Sequence, residues 1–134
     1  MIAADASAAV AAFARWHDDR AAAQRALGAR PSIVAHAAFE TYSVLTRLPE
    51  PQRSPPALVR EQLERRFGDR WLGLSAGALR LALARLEGLG ISGGQTYDGL
   101  IGITAASNDA TLVTLDRRAL PTYLLVGADV ELVA

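Results

Sequence analysis

The chain has 134 residues, 51% hydrophobic and 21% charged, with zero formal net charge, a composition that builds a packed core and excludes disorder as the default state. It has no cysteine, which excludes disulfide scaffolds, thiol nucleophiles and thiolate zinc sites; all 14 basic residues are arginine, which excludes Walker A loops and Schiff-base chemistry. Only His17 and His36 are present, so no H-E-x-x-H motif exists. No run approaches the roughly 18 uncharged apolar residues of a membrane span, and Met1-Ile2-Ala3-Ala4-Asp5 lacks the basic flank of a signal peptide; a cytoplasmic protein without a membrane segment is expected.

In chain order, the short apolar run 2–4 predicts a first buried strand. The alanine-rich stretch from Ser7 predicts a helix, broken or continued near 16–19, and a second helical stretch to Leu27 that Gly28 caps. Residues 32–35 predict a second strand, and 37–47 a helix that Pro49 and Pro51 stop. Pro55-Pro56 opens a helix to about Phe67, 71–74 predict a third strand, and Ser75 caps a Leu/Ala helix over 76–87. After a glycine-rich loop, 95–108 predict a helix and 111–115 a strand; a short irregular or helical piece then leads to a last strand over 130–133. The order β-α-β-α-α-β-α-α-β-β implies a single α/β domain, a three-layer α/β/α sandwich with a mostly parallel central sheet.

Ligands of open α/β sheets bind beyond the carboxyl ends of the strands. Asp5 follows the first strand, and Asp116 follows the 111–115 strand with Thr114 two residues before it; either could also be a simple helix cap. Asp98 has Ile101, Gly102 and Ala105 three, four and seven positions further on, so its carboxylate lies on a closely packing apolar stripe and points toward the interior. No basic residue between Glu87 and Arg117 offers it a local pair. Glu40, one turn into the helix after the second strand, would alone read as an exposed helix residue. Together the four acids converge on one end of a parallel sheet. Clustered carboxylates repel one another, a bound cation offsets that repulsion, and oxygen-only ligands select Mg²⁺ or Mn²⁺ over zinc. Such a site activates water and screens a phosphodiester, the arrangement for metal-assisted nucleic-acid hydrolysis.

One motif competes. Gly88-Leu89-Gly90-Ile91-Ser92-Gly93 matches the dinucleotide-binding G-x-G-x-x-G, but Leu79, Leu83 and Leu86 ahead of it recur at helical spacing where that fingerprint needs a strand. A helix C-cap and tight loop are the expected reading. His17 and His36, without a second ligand partner, read as surface or N-terminal helix positions.

Four segments carry a family resemblance: Ile2-Ala3-Ala4-Asp5-Ala6-Ser7, the stretch from Phe39-Glu40 to Leu48-Pro49, Gly93-Gly94-Gln95-Thr96-Tyr97-Asp98, and Leu112-Val113-Thr114-Leu115-Asp116-Arg117-Arg118. In this order and context the chain resembles the PIN-domain ribonucleases, specifically the VapC-type toxins of toxin-antitoxin pairs, over residues 1–134 as a single PIN domain. The resemblance implies that Asp5, Glu40, Asp98 and Asp116 are the acidic metal-site residues, supported by hydrogen bonds from Ser7 or Thr114. It also implies a homodimer and a cognate antitoxin whose C-terminal segment blocks the site. The expected chemistry is Mg²⁺, with Mn²⁺ as substitute, held by Asp5, Asp98 and Asp116 and completed by Glu40 directly or through water, with activated water attacking the RNA phosphorus. Arg47, seven residues after Glu40, and Arg117, beside Asp116, are the expected RNA phosphate contacts. Setting the four acids aside leaves 14 arginines against ten acids, a surface attractive to a polyanion once a cation fills the site. Two features depart from the family: Gly99 stands where alanine is usual, which weakens a helix by about 1 kcal/mol unless compensated, and Arg117 and Arg118 replace an acid that some members carry. The alternative reading is a catalytically silent α/β interaction domain, or a nucleotide binder using the Gly88 to Gly93 loop.

Overall fold

The shortest apolar runs of the chain form the centre of the molecule. In a computed structural model that describes residues 1–133, strands β1 (Ile2–Ala4), β2 (Ser32–Val34), β3 (Trp71–Leu72), β4 (Thr111–Thr114) and β5 (Asp129–Leu132) make one sheet in the order β3-β2-β1-β4-β5. Every neighbouring pair is parallel. Parallel neighbours need long crossovers, and these are α1 (Ala6–Phe13) with α2 (Arg20–Leu27), α3 (Ala35–Arg47) with α4 (Pro56–Phe67), α5 (Ala76–Gly88) with α6 (Gln95–Ser107), and α7 (Leu120–Leu125). The result is the expected α/β/α architecture, with a sheet that is parallel throughout.

β1 lies in the middle of the sheet, and its Ala3 and Ala4, like Leu112 and Val113 of β4, are fully buried. α1 presents Ala8, Ala9, Ala11 and Ala12 to the interior. Such small side chains let α1 sit close to both α2 and α3. Asp5, the residue that leaves β1, is thereby held at the inner end of a short, tightly packed helix.

Local chemistry moves several boundaries from their expected places. The first helix breaks at Ala14, whose backbone is extended. Helix α3 begins at Ala35, two residues early, because Val34 turns directly from strand into helix without a loop. The segment between the last two strands is the helix α7, with Pro121 in its first turn, so the chain ends β-α-β rather than β-β. The last strand starts at Asp129, one residue early, and β3 is only two residues long.

The glycine motif is a helix terminus. α5 runs through Gly88, and Gly90 adopts a left-handed φ of 73°. The Ile91 N–H donates to the Leu86 carbonyl at 2.9 Å and the Gly90 N–H to the Glu87 carbonyl at 3.1 Å, the paired bonds of a Schellman cap. Ile91 then packs with Leu86 in a second apolar cluster that includes Ile103 and Val126. The helix α5, not a strand, leads directly into the glycines, so the nucleotide-binding alternative loses its structural basis.

Two glycines of α6 are close-approach positions. A methyl at Gly99 would collide with Leu86 Cδ2 of α5, so the cost of glycine in the helix is exchanged for contact between α5 and α6. At Gly102 a Cβ would lie 2.6 Å from Val126 Cγ2 and 3.4 Å from the Tyr123 Cα. Leu86 can swing a terminal methyl, whereas the side chain of Val126 is short, branched and fully buried beside backbone. Gly102→Ala should therefore destabilise the protein by about 1–3 kcal/mol through overpacking, and Gly99→Ala by clearly less. Urea denaturation of the two variants checks this; equal midpoints would show that the α6–α7 contact is not tight.

Candidate metal and nucleic-acid site

The carboxyl ends of β1 and β4 are adjacent, with Ala4 opposite Val113, and the residues leaving them interlock. Asp5 has extended backbone and caps α1, its Oδ1 accepting from the Ala8 N–H at 2.9 Å. The same oxygen accepts from the Ser7 hydroxyl at 2.6 Å. Oδ2 accepts from the Thr114 hydroxyl at 2.5 Å and the Tyr123 hydroxyl at 2.9 Å. All four lone-pair sites of the carboxylate are thus occupied, at a residue only 2% exposed. Burial still raises its pKa above the ordinary value, against the pull of Ser7, Thr114, Ala8 and Tyr123. Asp5 is both a cap and a buried carboxylate.

Ser7 and Thr114 extend the lock. The Leu115 N–H donates to Ser7 Oγ at 2.8 Å, the Asp116 N–H donates to Thr114 Oγ at 3.0 Å, and the two hydroxyl oxygens are 3.2 Å apart. Asp116, half-buried, turns its Oδ1 onto the N–H groups of Arg118 at 2.9 Å and Ala119 at 3.3 Å. That turn fixes the exit from β4 and leaves Oδ2 outside these bonds.

Asp98 lies in the first turn of α6 and is half-buried. Its pKa is raised first by burial and then by the charges of Asp116 and Asp5, while Arg118 acts in the opposite direction. Glu40 lies in the second turn of α3 with its Oε1 buried and without a hydrogen-bond partner. Burial raises its pKa, His36 opposes this, and the charges of Asp98 and Asp5 add to it. His36 Nε2 is 3.7 Å from that Oε1, longer than a hydrogen bond.

The structure therefore brings the four acids within range of one another's charge. They do not form a closed cage: among the described residues no three His, Asp or Glu side chains stand close enough to hold one ion. An open cleft of about 710 Å³ is lined by Ser7, Glu40, Arg47, Asp116 and Arg118, with Asp5 and Asp98 outside its lining. Arg47 also donates to Ser43 Oγ at 2.9 Å. Arg117 is exposed and outside that cleft; its neighbour Arg118 faces the acids instead.

Tyr123 is the site residue that sequence reasoning missed. Its phenol is driven far above its ordinary pKa by burial and by the Asp5 charge, so it stays protonated and donates to Asp5. No acid, glycine or spacing around it in Leu120–Leu125 marks it out.

The donor set suits a hard divalent cation. It is oxygen-only, its members repel one another, and Glu40 Oε1 is a buried acceptor left without a donor. Asp5 can join as a ligand only if one hydroxyl rotates off it.

The chain belongs to the PIN-domain family, whose match covers residues 2–122. It is 46% identical over 133 residues to Ribonuclease VapC40 of Mycobacterium tuberculosis, in both the CDC 1551 / Oshkosh and the ATCC 25618 / H37Rv strains, with 99% of each chain covered. It is 38% identical over 136 residues to Ribonuclease VapC27 of the H37Rv strain, covering 99% of this chain and 97% of that one. Likeness of this extent makes it a VapC-type PIN ribonuclease. No helix among the described residues is long and apolar enough to cross a membrane.

Proposed function

We infer that the protein is a divalent-cation-dependent endoribonuclease of the cytoplasm, the toxin of a toxin-antitoxin pair, cutting RNA at the cluster of Asp5, Glu40, Asp98 and Asp116. The observation that carries the reading is the unpartnered, buried Glu40 Oε1 in a cluster where neighbouring acids raise the pKa of Glu40 and of Asp98, in a chain 46% identical to a ribonuclease. Asp98, Asp116 and Glu40 would hold Mg²⁺ or Mn²⁺ together with Asp5 once their side chains rotate closer together than they stand here. The cation, when bound, supplies a Lewis acid for the phosphodiester and lowers the pKa of water. The chain's own groups do the rest. Ser7, Thr114 and Tyr123 fix the Asp5 carboxylate in one orientation, and Asp116 is held by the turn it caps. Arg47 and Arg118 place positive charge on the walls of the cleft, where phosphate oxygens of an RNA strand would lie.

The purified protein should cut RNA with Mg²⁺ or Mn²⁺, stop with EDTA and recover on adding the cation back. Cleavage that survives EDTA would overturn the metal reading, and no cleavage under any cation would favour the silent interaction domain. As a toxin it should arrest growth on expression and be relieved by its cognate antitoxin. Exposed Phe39, Tyr42 and Trp71, with Phe39 edge-on to Trp71 at 6.2 Å, border an apolar cleft of about 440 Å³ on α3 and α4 that suits such a partner. A homodimer, as in the family expectation, is checked by light scattering.

The arginines can be ranked. Arg118→Ala and Arg47→Ala should each weaken RNA binding and lower the slope of log affinity against log salt by about 1, as removal of a phosphate contact does. Arg117→Ala, outside the cleft, should leave that slope nearly unchanged. Filter binding across a salt series gives the answer; a larger effect at Arg117 would return the phosphate contact to that residue.

A further inference from the structure

His36, in the first turn of α3, and Tyr97, in the first turn of α6, stack with ring centroids 5.0 Å apart and planes 4° from parallel. Neither ring belongs to the core: Tyr97 is 53% exposed and the His36 side chain 34%. A stack left this open in water buries little apolar area for the fold. Its position is the informative part. Tyr97 directly precedes Asp98, and His36 stands 3.7 Å from Glu40 Oε1 one turn further along α3, so the two rings ride on the same helices as two of the four acids. One face of Tyr97 is covered by His36, and the residue still remains 53% exposed. His36 also borders an apolar cleft of about 360 Å³ that Phe39 and Leu79 line. A flat aromatic surface beside an acidic cluster cannot recognise phosphate, but it matches the face of a nucleobase.

We propose that the His36–Tyr97 stack is a base-stacking platform, with Tyr97 binding the base of a nucleotide next to the phosphate that is cut. The proposal rests on the ribonuclease reading and requires an unpaired base at this position, since a base already paired and stacked in a duplex cannot lie on the ring. Stacking tolerates all four bases, so the platform sets where the strand lies in the site and not which base is chosen.

The test compares wild type, Tyr97→Ala and Tyr97→Trp. Dissociation constants are measured for a short single-stranded RNA and for an abasic chain of the same length, with Ca²⁺ replacing Mg²⁺, and RNA cleavage is followed in parallel with Mg²⁺. Tyr97→Ala should weaken RNA binding roughly 5- to 150-fold, the usual range for loss of one stacked base, and leave abasic binding unchanged. Tyr97→Trp should keep the RNA affinity. In cleavage the alanine variant should raise KM with kcat largely retained. Equal losses on RNA and abasic chain, no loss in Tyr97→Ala, or a wild type that does not distinguish the two ligands would each overturn the platform and leave the stack as a tie between α3 and α6. The two readings fail separately. Base-dependent, Tyr97-dependent binding without cleavage would sink the nuclease and keep the platform; cleavage indifferent to Tyr97→Ala would do the reverse.

Discussion

Asp98→Asn and Asp116→Asn should each lower cation-dependent RNA cleavage by at least about 100-fold while the protein remains folded. The amide keeps the shape of the carboxylate and removes its charge, and loss of a ligand should exceed the 10- to 100-fold cost of losing a group that merely orients one. The two variants should differ in their side effects. Asp116 Oδ1 accepts two backbone N–H bonds, which an asparagine oxygen can still accept, so its turn survives. Asp98 is destabilised by burial and by the charges of Asp116 and Asp5, so neutralising it should raise the melting temperature of the metal-free protein. Cleavage rates with thermal melts in EDTA and in Mg²⁺ test both statements. Activity near wild type in either variant would remove that acid from the site.

At Asp5 the two obvious substitutions should move stability in opposite directions. Asp5→Ala strands the buried hydroxyls of Thr114 and Tyr123 and uncaps α1. A lost cap costs about 1 kcal/mol and each of the two unpaired buried donors about 1–3 kcal/mol, so a total loss of roughly 3–7 kcal/mol is expected with or without cation. Asp5→Asn keeps the shape, and the Thr114 and Tyr123 hydroxyls can turn to accept from its amide. It removes a charge that burial opposes, so the metal-free protein should melt higher, and the gain should shrink or reverse in Mg²⁺. The sign of the pH dependence follows. Asp5, Glu40 and Asp98 all have pKa values raised in the folded chain. Between their ordinary and raised values the folded protein binds more protons than the unfolded one, so metal-free stability falls as pH rises through that window. Mg²⁺ favours the charged forms and should flatten the slope, and Asp5→Asn should make it shallower. A slope unaffected by Mg²⁺ would mean that the cation does not engage these carboxylates.

What the sequence discloses about this site follows the range of its interactions. Asp5 and Asp116 are legible because each follows an apolar run that can only be a strand, and Asp98 because its helical spacing sets a charge on a packing stripe. The role of Glu40 is legible only through its companions. Tyr123 is not legible at all: six residues of apolar character, Leu120–Leu125, are too short to display a helical period, and its partner is 118 residues away. The choice between Arg117 and Arg118 depends on the backbone turn that Asp116 caps, which adjacency in sequence does not encode. Gly99 reads locally as a weakness in α6, and only the approach of Leu86 from another helix gives it a purpose. Periodicity reports what a segment buries; it does not report which distant side chain meets it.

The bond from Tyr123 to Asp5 also bears on when, during synthesis, the candidate site is completed. The strand that Asp5 leaves sits mid-sheet and waits for β2 on one side and for β4, made some hundred residues later, on the other. A nascent chain that ends after Asp116 and before Tyr123 contains all four acids yet lacks the hydroxyl that completes the shell around the first of them. Synthesis thus imposes a delay between encoding the acids and finishing their arrangement, and prematurely ended products inherit the charge without the ordered site.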